Sequence, residues 1–217
     1  MKNRKTGNLL IAASMAALMT AGGFSALASP AAPEYTGAVI DGTKTASLTL
    51  YKLVNNDGLT LNGTGLDAQT LPNGSRPLAG VTFSCWKIAD IRQITTGSSV
   101  GTYYAGLDAG FAALAAALHV TLTPAGTDNG TAYYTGEALN AALAAIKAIG
   151  GTTETGETQL NDLIRASGTA MTATDAAGRT SRENLALGLY LVAETDCPET
   201  VGSPSSPFMI SLPMTNI

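Results

Sequence analysis

The sequence predicts a mainly β protein, a sandwich of strands carrying a helical insertion, and three observations predict it. Alternating segments of β-forming residues stand near both ends of the chain, and Ala/Leu runs with helical spacing fill only the middle. The helical runs sit together between strands instead of alternating one for one with them, which argues against a doubly wound sheet.

The elements follow in order. Lys2, Arg4 and Lys5 open the chain, an apolar run extends from Leu9 to Thr20, and Ala26-Leu27-Ala28 places small residues before Ser29. This is the pattern of a secretory signal peptide over residues 1–28, with an apolar run too short to span a bilayer. Residues 29–46, beginning Ser29-Pro30-Ala31-Ala32-Pro33, read as a flexible leader. Ser47 to Val54 then alternates as a half-buried strand, with Leu48, Leu50, Lys52 and Val54 in one phase, and Asn55-Asn56-Asp57-Gly58 turns the chain. Ala79 to Ile88 is a second strand rich in β-formers.

Leu107 to Leu118 and Gly136 to Ile149 have helical spacing; Thr135 offers an N-cap to the second, and Gly150-Gly151 stops it. A third short helix is expected over Thr158 to Arg165. Strands resume with Gly188 to Thr195, and Pro207 to Asn216 alternates Phe208, Ile210, Leu212 and Met214 in one phase. Pro213 lacks an N–H, so that strand belongs at an edge or a bulge. No repeat is evident, and residues 47–217 read as one domain.

Charge narrows the function. Removing residues 1–28 takes away three cations and no acid, leaving nine Lys+Arg against 16 Asp+Glu and moving the formal net charge from −4 to −7. Nucleic-acid binding needs clustered Lys/Arg, so that class is excluded. The charged fraction of 13% is about half the usual ~25%, in keeping with an exported, Thr/Ser/Gly-rich surface protein with no stable transmembrane span in its mature part.

Cys85 and Cys197 are an even pair in an exported chain, which suggests one disulfide closing a loop of more than a hundred residues. In the chain-entropy model it would contribute about 4 to 5 kcal/mol. Two buried free thiols are the alternative. A metal is not expected, because two Cys and the single His119 show no ligand spacing, and His119 suits a helix C-terminus. No cofactor and no enzyme activity are expected either: there is one histidine, no Gly-x-Ser-x-Gly, and no phosphate loop.

Three polar residues fall in core-facing phases. Lys52 continues the row of Leu48 and Leu50, Glu194 follows Tyr190 and Val192, and Asn216 follows Leu212 and Met214. A lone buried ammonium is costly, so a Lys, a Glu and an Asn on three strands suggest one buried polar cluster.

At this point the chain resembles a known family. Leu50-Tyr51-Lys52, then Pro77-Leu-Ala-Gly-Val-Thr-Phe83, then Gly188-Leu-Tyr-Leu-Val-Ala-Glu-Thr-Asp-Cys-Pro198, in that order, are similar to a collagen-adhesin B-type domain. The last segment resembles the E-box of sortase-assembled pilins of Gram-positive bacteria. With the helical insertion and Pro204 to Asn216, the chain resembles the N-terminal domain of a major shaft pilin over about residues 40–216.

The resemblance implies an immunoglobulin-like sandwich and a structural fimbrial subunit, joined to other pilin subunits by a sortase and displayed from the cell wall. Some domains of the family also form an internal isopeptide bond; on the positions that match, Lys52 would be the nucleophile, Glu194 the assisting acid and Asn216 the available electrophile, while in other N-terminal pilin domains the reacting Asn lies further along the chain or no bond forms. An apolar surrounding favours the neutral amine that attacks and the protonated acid that polarises the amide carbonyl. The alternative is that Lys52 snorkels to solvent and Glu194 merely pairs with it.

There are departures. No Tyr-Pro-Lys occurs, and Leu212-Pro-Met-Thr-Asn216 has Asn where a sorting motif has Gly. It reads as a strand, and the chain is expected to stop before the last strand and the later domains. A rival reading is an exported adhesin or carbohydrate-binding module contacting a host glycan or protein, with Tyr103-Tyr104 and Tyr133-Tyr134 as stacking residues.

Overall fold

The computed structural model describes residues 13–14, 40–54, 76–96, 99–150, 155–199 and 204–214. The elements run β1 (Ala13–Ser14), β2 (Thr45–Tyr51), β3 (Leu53–Val54), β4 (Arg76–Pro77), β5 (Thr82–Thr96), β6 (Ser99–Ala105), α1 (Ala109–Ala117), β7 (Gly126–Asp128) and β8 (Thr131–Tyr134). They continue with α2 (Gly136–Ala148), α3 (Gly156–Ser167), β9 (Thr169–Ala170), β10 (Arg179–Ala186), β11 (Gly188–Asp196) and β12 (Phe208–Leu212). The fold is mainly β, with three helices among the described residues, all in the middle of the chain. β1 falls in the segment read as the signal peptide, and β2 begins at Thr45, within the predicted leader.

The layers follow from alternation. In the large sheet the strand order is β12-β11-β5-β6-β8-β7, with β9 added against β5, and the small sheet is β1-β2-β10. Ala46, Leu48 and Leu50 of β2 meet Phe83 and Cys85 of β5, Tyr190 and Val192 of β11, and Ile210 and Leu212 of β12. That is the interior of a sandwich. The opposite phase of the large sheet carries Trp86, Ile88, Leu189, Leu191 and Ala193, which pack on Phe111, Leu139, Leu143, Ile146, Leu160 and Ile164 of the helices. The insertion is therefore a third layer, covering the sheet face that the small sheet leaves bare.

β5 is longer than its sequence pattern indicates. Its pairing with β11 slips by one residue, from Leu189 opposite Ala89 to Tyr190 opposite Lys87. Such a bulge lets two successive residues face one side. Ile88 and Ala89 both join the helix-facing core, and Ile91 packs on it as well. The alternation changes phase at this point, so the strand that seems to end at Ile88 continues to Thr96 and pairs with β6.

The helices are delimited by capping. Asp108, Thr135 and Thr155 accept from the backbone N–H groups of Gly110, Ala138 and Thr158, satisfying donors that a helix start leaves unpaired. Glu137 and Glu157 sit in first turns, and Lys147 and Arg165 in last turns, each opposing the local end of the helix dipole. His119, just past α1, takes φ 56, a left-handed position that ends the helix. Pro213 lies just beyond β12, which is an edge strand. Among the described residues, no helix is long and apolar enough to cross a membrane.

Two substitutions separate the sandwich from local capping. Phe83, with no exposed surface at the centre of the sandwich, should lose about 3–5 kcal/mol on Phe83→Ala. Thr135→Ala should lose about 1 kcal/mol. Urea unfolding checks both, and comparable losses would contradict the placement of Phe83.

Candidate functional site: a buried Lys52–Glu194 pair

Lys52 occupies the break between β2 and β3. Its N–H donates to Gly178 O at 2.7 Å, and its carbonyl accepts from Leu78 N at 2.9 Å, so the backbone is held from both sides. Gly178 takes φ 69, and a Cβ there would run into the Lys52 carbonyl. Only glycine fits this close approach. With its backbone held, Lys52 continues the Leu48–Leu50 row into the sandwich and is 5% exposed.

Glu194 approaches from β11, two residues beyond Val192 on the same face, and its side chain is completely buried. Lys52 Nζ donates to Glu194 Oε2 at 2.5 Å. A third residue completes the cluster: Ser205 Oγ accepts from Lys52 Nζ at 2.6 Å, and Ser205 N donates to Glu194 Oε2 at 2.8 Å. Glu194 Oε1 is buried with no hydrogen-bond partner among the described residues. Sequence reasoning overlooked Ser205, because it lies in a loop with no period to place it. The available signal was Pro204-Ser-Ser-Pro207, a short run whose flanking prolines favour an extended path.

Asn216 lies outside the described residues, as does the Asn55–Gly58 turn. β12 ends at Leu212, short of the strand expected to run to Asn216; Leu212 is fully buried, while Met214 beyond it is 36% exposed.

The structure corrects the predicted disulfide: Cys85 and Cys197 are both free. Asp196 lies opposite Thr82, three residues from Cys85, so Cys197, one residue further, stands roughly 13 Å along the ladder from Cys85 at about 3.3 Å per residue. A bridge requires Cα atoms within about 7 Å. Cys85 instead packs in the sandwich, where burial pushes its thiol pKa up, partly offset by Arg182. Tyr190, on the Glu194 face of β11, is pushed up to about 12, mainly by burial, and its hydroxyl donates to Ala186 O at 2.7 Å.

The tyrosine pairs are strand residues of β6 and β8, the second pair ending directly before Thr135, the N-cap of α2, and alternation splits each pair. Tyr104 is buried in the helix-facing core and Tyr134 packs against it. Tyr103 and Tyr133 meet edge to face on the other side, their centroids 4.9 Å apart. Their rings lie over Gly101 and Gly126, where an added Cβ would collide with them. Covering strand glycines with aromatic rings accounts for this pair. Among the described residues, no group of three or more His, Cys, Asp or Glu is placed to hold a metal.

A buried ion pair is destabilising when one member is removed, yet often replaceable by apolar residues as a unit. Lys52→Met and Glu194→Leu should therefore each be less stable than the double variant by about 3 kcal/mol. Urea unfolding of the three variants checks this. Additive losses would mean that the two groups are not coupled.

The family model for the N-terminal domain of Gram-positive pilin subunit D1 matches residues 43–217. Among solved structures, the chain is similar to the full-length major pilin SpaD from Corynebacterium diphtheriae, at 21% identity and TM-score 0.38, covering 80% of this chain and 28% of that one. It is also similar to the RrgB pilus protein from Streptococcus pneumoniae, at 16% identity and TM-score 0.25, covering 64% of this chain and 23% of that one. This chain thus spans under a third of either pilin's length. A search of curated proteins returns no match. The family match includes β2, β11 and the Lys52–Glu194–Ser205 cluster, and on that match the chain belongs to the family of Gram-positive pilin subunit D1 N-terminal domains.

Proposed function

We propose that this domain is a structural module of a covalently polymerised pilus shaft, joined to its neighbours by a sortase and displayed at the Gram-positive cell wall. Its role is mechanical and not enzymatic, and it supports adhesion indirectly. The carrying observation is the buried Lys52–Glu194 pair, closed by Ser205, with one carboxylate oxygen that has no partner among the described residues.

That oxygen suits a primary amide, which offers both N–H groups and a carbonyl. In the reaction we propose, the ammonium of Lys52 passes a proton to Glu194, and the neutral amine attacks Cγ of Asn216. The Nζ–Cγ bond forms, the Cγ–Nδ2 bond breaks, and the amide nitrogen leaves as ammonia after taking a proton from Nζ. Glu194 in its acid form donates to the carbonyl oxygen as negative charge develops there. The product ties the end of β2 to the segment following β12 through a bond that load cannot slide apart.

Two measurements test these readings. The mature chain should weigh about 17 Da less than its sequence mass through loss of ammonia, and Lys52→Ala should restore the full mass. A full-mass wild-type product would overturn the cross-link. Separately, gold-labelled antibody against the domain should decorate fibres along their whole length on intact cells. Labelling confined to tips, or scattered on the wall without fibres, would overturn the shaft reading.

A further inference from the structure

We propose that Ser205 is the positioning residue of the Lys52 amine, and that residues 204–207 act as a latch holding it there. This rests on the reading of Lys52 as a nucleophile.

The latch is visible residue by residue. Burial alternates from exposed Pro204 to buried Ser205, exposed Ser206 and buried Pro207, the pattern of an extended segment laid on the domain. Ser205 contacts both members of the pair, through Oγ to Lys52 and through its N–H to Glu194. Ser206 Oγ donates to Glu157 Oε1 at 2.6 Å, at the start of α3. Lys147 Nζ, in the last turn of α2, donates to Pro207 O at 3.0 Å. Three consecutive residues are thus fastened to the reactive pair and to two helices of the opposite layer.

The chemistry explains why a hydroxyl is needed. An ammonium has three N–H bonds and a free rotation about Cε–Nζ. Once one proton has moved to Glu194, the bond to Ser205 is what fixes that rotation and with it the direction of the nitrogen lone pair. Because the N–H of Ser205 is itself bound to Glu194, the hydroxyl cannot follow a swinging amine. An alanine at 205 would leave the backbone contact and remove this restraint alone.

The test uses the mature chain and N-hydroxysuccinimidyl acetate as an amine probe, with acylation of Lys52 read by peptide mass against exposed Lys44. Alkylation of buried Cys85 reports any general loss of fold. Where the wild type carries its full mass, Ser205→Ala should raise Lys52 acylation about tenfold, the size expected for a lost hydrogen bond to a charged group. Ser205→Thr, which keeps the hydroxyl, should stay near wild type. Lys147→Met, which frees Pro207 without touching the pair, should also raise acylation while Cys85 stays slow. Where the wild type is about 17 Da light, the same variants are read by the rate at which cross-linked product appears after refolding, with Ser205→Ala about tenfold slower and Ser205→Thr unchanged.

Wild-type behaviour of Ser205→Ala, or a Ser205→Thr variant indistinguishable from it, would overturn the positioning role. If Ser205→Ala unfolds, Ser205→Thr and Lys147→Met decide, and a Lys147→Met variant as protected as wild type would overturn the latch. A full-mass wild type whose Lys52 is exposed by Ser205→Ala would refute the cross-link and uphold the positioning.

Discussion

The domain is organised by the requirement that β11 be buried on both faces. Residues 188–194 are all buried, which a single antiparallel sheet on a helical layer, or a simple sandwich, would not require. One phase, Leu189, Leu191 and Ala193, serves the helices, and the other, Tyr190 and Val192, serves the sandwich. Every other layer meets this strand directly or through β5. Because both faces are committed, its register cannot slip by one residue without exchanging a helix-facing side chain for a sandwich-facing one. That rigidity is what delivers Glu194 to Lys52 across 142 residues of sequence.

Much of this was legible because burial imposes a period of two on the sequence. Lys52 and Glu194 stood out as polar residues continuing apolar rows, a signal that needs no knowledge of which strands pair. The helices were legible for the matching reason, since Thr135, the Ala/Leu spacing and the Gly150-Gly151 stop are local features. What escaped depended on pairing. The bulge at Ile88–Ala89 reversed the phase of β5 and hid its second half. The β8 strand is only four residues long and β6 is interrupted by Gly101, so their tyrosines gave no clean alternation. The cysteine pair looked bridgeable by compartment alone, while the register of β5 against β11 keeps the two thiols apart. Ser205 is the extreme case, since its role is set by contacts with chain 153 residues away.

The helical insertion has a physical role beyond covering a sheet. Its inner face seals the large sheet from water, and its outer ends reach the 204–207 segment through Glu157 and Lys147. The same three-layer packing that makes β11 rigid also fixes the loop that closes the Lys–Glu pair. Loops usually gain mobility from being on the surface. This one is hydrogen-bonded on three consecutive residues, to the buried pair and to α3 and α2.

The energetics of the pair bear on what it is for. A buried ion pair adds little stability over well-packed apolar residues of similar size, because desolvating two charges offsets most of their attraction. Leu and Met at these positions would extend the apolar rows that Leu48–Leu50 and Tyr190–Val192 begin, at no such cost. Stability therefore does not account for a lysine and a glutamate buried in the sandwich. Nor does it account for a carboxylate oxygen that has no hydrogen-bond partner among the described residues. Both features are understandable if the groups are there to react, since a nucleophile must be desolvated and a general acid must have a free oxygen to offer. A bond formed at this point would remove both charges' penalty at once, converting the least favourable part of the interior into a covalent tie between the sheets.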